Sequence, residues 1–79
     1  MEKITLDSGV VLEIEMPTWE RTRVVDALNR CEHVVVSSSG YWRASFDYRS
    51  DAIDFAGEGN KVLAPNGAIL VIAAMARRN

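Results

Sequence analysis

The sequence predicts an α+β fold. We expect an antiparallel sheet of five to six strands, one long helix at about 19–32 packed on one face, and a second short helix at about 51–56. Three observations carry this expectation. Apolar and polar residues alternate with period two near the N-terminus and again in the centre of the chain. One stretch between them carries an apolar stripe at helical spacing. Glycine-containing turn sequences separate most of the apolar runs.

The elements follow in order. Residues 3–7 and 10–16 form a hairpin. Ile4, Leu6, Val10, Leu12, Ile14 and Met16 make its buried face; Lys3, Thr5, Val11, Glu13 and Glu15 make its solvated face. Asp7-Ser8-Gly9 supplies the turn, with Gly9 free to take positive φ. Pro17 ends the second strand and Thr18 is the expected N-cap of the long helix, with Glu20 in its first turn. Val24, Leu28 and Cys31 form the stripe, Val25 and Ala27 its margins, and Asp26 and Arg30 an i, i+4 pair. Trp19 either lids the core or stands exposed as a binding anchor, and packing is the ordinary state of a Trp.

Residues 33–38 form a strand, with Val34, Val35 and Val36 unalternated as in a central strand that is covered on both faces or partly flanked. Residues 37–40 turn the chain into an antiparallel strand at 41–48, which holds four of the six aromatic residues. With period two, Trp42, Ala44, Phe46 and Tyr48 share one face and are expected in the core. Tyr41, Arg43, Ser45 and Asp47 share the other. Ser50 or Asp51 caps the short helix, whose apolar residues are Ala52, Ile53, Phe55 and Ala56, and Gly57 stops it. Residues 61–64 and 68–73 flank Pro65-Asn66-Gly67 as a last hairpin. Ile69 to Ile72 is the expected central strand, with a helix over 68–77 as the alternative. The order is ββαββαββ in one small domain, residues 1–79. One sheet face is expected to stay partly open.

The bulk numbers exclude several classes. With 79 residues, 48% apolar and 25% charged, the chain has ordinary globular composition. A net charge of −2 argues against general affinity for nucleic acid, although Arg21, Arg23, Arg30, Arg43 and Arg49 leave room for a local basic patch. An apolar run at 68–76 is too short to cross a bilayer as a helix, so no membrane partner is expected. A single cysteine forms no internal disulfide and gives no zinc signature, and a cytoplasmic location is expected.

No reaction is legible. Cys31 and His33 lack the third group that activates a thiol, and a helix-end His beside a packed Cys explains them more simply. Asp51 and Asp54 sit where helix capping wants acids. Gly57-Glu58-Gly59 lacks the Lys of a phosphate loop. An RNA-binding strand pattern is met at Gly40, Tyr41 and Phe46 only. No enzyme, cofactor, metal or direct nucleic-acid ligand is therefore expected.

Tyr, Trp and Arg most often anchor protein interfaces. The candidate partner-binding residues are Tyr41, Arg43 and Asp47 on the aromatic strand, Glu13 and Glu15 on the hairpin, and Trp19. A short, mildly acidic chain that begins at Met1 and carries no catalytic motif looks like the small phage-encoded inhibitors of bacterial defence, of which anti-CRISPR proteins are the best-known type. This resemblance lies in general character across the whole chain rather than in a motif. It implies a non-enzymatic inhibitor in the host cytoplasm that binds a larger protein or nucleoprotein complex. It also makes Glu13, Glu15, Asp47, Asp51, Asp54 and Glu58 the carboxylates to test as phosphate mimics, with steric blocking favoured by the small net charge. The alternative is a homodimeric regulatory or antitoxin-like protein that associates through its open sheet face; a nucleic-acid-binding module ranks third.

Overall fold

A computed structural model describes residues 1–71. The chain forms β1 (Glu2–Thr5), β2 (Val11–Ile14), a 3-10 turn (Thr18–Glu20), α1 (Arg21–Asn29), β3 (His33–Val36), β4 (Trp42–Phe46), α2 (Arg49–Ala56), β5 (Lys61–Leu63) and β6 (Ile69–Val71). The α+β class is as expected, but the single sheet is not. β1 and β2 form a two-stranded sheet of their own, and the other four strands run in the order β4-β3-β5-β6, all antiparallel.

The N-terminal hairpin follows its binary pattern. Ile4 faces Leu12 in register, and Ile4, Leu6, Leu12, Ile14 and Met16 are buried while Glu13 and Glu15 are exposed. Gly9 takes φ 95° and donates its N–H to the Leu6 carbonyl at 2.9 Å. Thr18 does not cap the helix. It lies inside the 3-10 turn, and its hydroxyl donates to Glu2 Oε2 at 3.2 Å.

The turn and α1 together span residues 18–29, not 19–32. The early stop has a specific cause. Cys31 adopts φ 65°, its N–H bonds to the Leu28 carbonyl at 3.0 Å, and the Glu32 N–H bonds to the Ala27 carbonyl at 3.1 Å. This is the paired 6→1 and 5→2 pattern of a left-handed helix stop, with Cys at the position usually held by Gly. Cys31 is consequently exposed rather than part of the apolar stripe, which is Val24, Ala27 and Leu28. Arg30 pairs most closely with Glu32, with Nε 3.1 Å from Oε2, and Asp26 adds a weaker electrostatic attraction.

Two cores lie on opposite faces of the four-stranded sheet. Val34, Val36 and Leu63 pack with the hairpin residues and with Val24, Ala27 and Leu28, and Trp42 lies against them. Val35 and Val62 pack with Ala52 and Ala56 of α2, joined by Phe46, Ile53 and Leu70. The second face is thus covered by α2 at its centre, where an open face was expected. The helix starts at Arg49, two residues earlier than expected, and Tyr48 occupies its N-cap without a side-chain bond.

β3 is central, as the valine run implied. β6 is not: it is the last strand of the described sheet, and Ile69 and Val71 are exposed. It is a strand within the described residues, while the remainder of the 68–77 run and the basic tail lie outside them. No helix among the described residues is long and apolar enough to cross a membrane.

Candidate functional site

The period-two reading of the aromatic strand fails at one residue. His33, Val34 and Val35 pair with Phe46, Ser45 and Ala44 in step, but Val36 pairs with Trp42, so Arg43 is left over as a β-bulge. One extra residue reverses the phase of every side chain beyond it. Phe46 therefore joins the α2 core while Trp42 joins the α1 core. Tyr48, expected inside, is 70% exposed at the start of α2.

The same phase change dissolves the expected face of Tyr41, Arg43 and Asp47. Tyr41 precedes β4, Arg43 is the bulged residue, and Asp47 follows the strand. At a strand rise of about 3.3 Å per residue, Asp47 is roughly 20 Å along the chain from Tyr41. Glu13 and Glu15 are both exposed, and Glu13 stands opposite Lys3, which offsets its charge.

A different constellation is assembled. Trp19 stands on the 3-10 turn with 74% of its surface exposed, and its ring centroid lies 6.4 Å from that of Tyr41 at a 56° tilt. Tyr41 itself is 47% exposed. Two contacts hold the turn and the first residues of α1 against β4. Glu20 Oε2 accepts the Trp42 N–H at 3.2 Å, and the Arg23 guanidinium lies 5.4 Å from the centre of the Trp42 ring. Arg23 also stands 4.0 Å from Glu20 Oε1, so one carboxylate and one indole fix the cation between them.

The loop before Tyr41 is equally constrained. Ser37 and Tyr41 exchange bonds: the Ser37 N–H donates to the Tyr41 carbonyl at 2.8 Å, and Ser37 Oγ accepts the Tyr41 N–H at 3.1 Å. Gly40 is buried at φ 91°, and a Cβ there would overlap the Glu15 carbonyl oxygen and Met16. Glycine lets the β3–β4 loop lie directly on the backbone leaving β2. The exposed pair is thereby mounted on three segments that meet: residues 15–16, the 3-10 turn and the 37–42 loop.

A second aromatic contact joins Phe46 to Phe55 at 5.3 Å on the α2 side, with Phe55 half exposed. Asp51 and Asp54 are exposed on α2, Asp51 in its first turn. His33 opens β3, and its Nδ1 is buried without a hydrogen-bond partner. Among the described residues no ligand-sized pocket and no group of three metal-binding side chains is present.

Trp19 and Tyr41 are separate candidates in the sequence, because no local spacing connects residues 22 positions apart. The contacts of Glu20 and Arg23 with each other and with Trp42 appear only in the structure. Comparison with protein-family models, characterised proteins and solved structures gives no match for this chain.

Proposed function

We propose that the protein is a non-enzymatic binding protein that inhibits a larger protein or nucleoprotein complex by occupying its surface, with Trp19 and Tyr41 as the anchor. One observation carries this reading: Trp19 keeps three-quarters of its surface in water while neighbouring Glu20 and Arg23 are tied to Trp42 of β4. Leaving that much indole exposed forgoes about 3–4 kcal/mol of burial. A domain of this size has a net stability of roughly 3–5 kcal/mol. A preorganised Trp–Tyr pair recovers that energy when a partner covers it, with little ordering cost. Arg23, over the ring of Trp42 next to Tyr41 in the chain, adds a planar donor of the kind enriched at interface centres.

The general likeness to small phage-encoded inhibitors of bacterial defence makes a CRISPR effector complex the first partner to assay. The immobilised protein is expected to capture such a complex and suppress its cleavage of target nucleic acid. Trp19→Ala with Tyr41→Ala is expected to weaken capture at least about 30-fold, the loss of a hot spot of 2 kcal/mol or more, with far-UV circular dichroism unchanged. Undiminished capture by the double variant would remove the anchor. A wild-type protein that leaves cleavage by effector complexes intact would remove the inhibitor reading.

A further inference from the structure

We propose that the outer edge of β6 pairs with the same strand of a second copy of the chain, antiparallel about a two-fold axis, joining two four-stranded sheets into one. The β5–β6 ladder determines which backbone groups are free. The Ala64 N–H donates to the Ala68 carbonyl at 2.9 Å, and the register continues as Leu63↔Ile69, Val62↔Leu70 and Lys61↔Val71. Bonded and non-bonded pairs alternate along an antiparallel ladder. Leu70 therefore bonds to Val62, while Ile69 and Val71 turn their N–H and C=O groups to the outer edge.

Among the described residues no strand pairs with that edge. Ile69 and Val71 are exposed, and no charge, proline or bulge interrupts the strand. The opposite edge of the same sheet is handled differently. β4 carries a bulge and Arg43, and the Glu20 carboxylate takes the Trp42 N–H. Bulges, edge charges and covering groups are the devices by which sheets avoid pairing with other chains, and among the described residues β6 has none of them.

A second copy suits the edge better than the chain's own C-terminal residues do. A return of the chain along β6 needs a tight turn first. Residues 72–78 include no Gly, Pro, Asn or Asp, the residues that tight hairpin turns require. Two-fold antiparallel pairing is self-complementary, and Ile69, Leu70 and Val71 oppose no like charges when they meet themselves.

Light scattering with size-exclusion reads the mass of the full chain, and hydrogen exchange reads the Ile69 and Val71 amides. The mass is expected to rise from one chain to two with concentration, with both amides protected in step. Val71→Pro removes an outward N–H and leaves the bonds to β5 in place. Val71→Lys keeps the backbone whole and sets a charge on the edge. Each is expected to give a monomer with unchanged circular dichroism, and V71K decides the matter if V71P does not fold. A wild-type monomer at every concentration overturns the proposal; protected amides in that monomer assign the edge to the chain's own C-terminal residues. A dimer that persists undiminished in V71K also overturns it, because the interface then lies elsewhere. The Trp19→Ala, Tyr41→Ala variant is expected to dimerise as the wild type does, which separates this edge from the anchor.

Discussion

Gly40 and Glu32 each tie two segments together through one small feature. At Gly40 the feature is a missing side chain: the loop carrying Tyr41 rests on the backbone of Glu15 and Met16. Gly40→Ala is expected to destabilise the protein by about 3 kcal/mol or more, from a positive φ and a backbone overlap that no rotamer relieves, measured by urea unfolding. A loss under 1 kcal/mol would show that the loop has room to move. At Glu32 the feature is a carboxylate just past α1 that accepts from Arg30 Nε at 3.1 Å and is further stabilised by the Ser45 hydroxyl of β4. The Arg30 hydrogen bond, then that of Ser45, holds the Glu32 carboxyl below the usual carboxylate range. The folded state therefore binds its proton less readily than the unfolded state. The stabilisation is complete above the ordinary carboxylate range and is lost as pH falls through the lowered folded value. Glu32→Gln is expected to flatten the acid limb of stability within and below the ordinary carboxylate range, followed by urea midpoints at each pH. An acid limb identical to wild type would place that pH dependence on other carboxylates.

The elements show where local pattern suffices and where it does not. The β1–β2 hairpin is legible residue by residue, because alternation, turn and burial all point to one register. α1 is legible along its stripe but not at its end. Its stop is a left-handed residue, and Cys31 fills the place where sequence reasoning looks for Gly. Cys31→Gly is expected to stabilise the protein by about 0.5–1 kcal/mol, since relief of the left-handed strain exceeds the added freedom of the unfolded chain. A rise in the midpoint of thermal unfolding checks it, and a fall would mean that the Cys31 side chain contributes more than its strain costs. β4 is the element that sequence reasoning misassigned most. Composition identifies it as a strand, but only pairing with β3 reveals that Arg43 is surplus. A bulge is a property of two strands together, so no period counted along one of them detects it.

At the scale of the whole molecule, the four-stranded sheet is a partition between two cores. The hairpin and α1 pack on one face and α2 on the other, with Val34 and Val36 serving the first core and Val35 the second. The unalternated valine run states this requirement in the sequence, and the expectation of a strand covered on both faces holds. What it leaves unstated is which elements do the covering. The candidate site has the same character. Its residues were on the list of candidates, but Trp19 meets Tyr41 only because Glu20 and Arg23 grip Trp42 and Gly40 admits the loop. Asp47, grouped with Tyr41 by alternation, lies at the far end of the strand.

The sequence by itself determined the α+β class, the N-terminal hairpin and its faces, the helical stripe of α1, the turn at Pro65-Asn66-Gly67 and the strand nature of β3 and β4. These follow from local propensity and from the periods of 2 and 3.6, which a single segment expresses alone. Tertiary structure decided the split into two sheets, the bulge at Arg43, the edge position of apolar β6 and the exposure of Trp19 and Tyr48. The physical reason is that burial is a relation between segments. An apolar side chain marks surface that can be covered, while covering it requires a neighbour whose position depends on the packing of the whole chain.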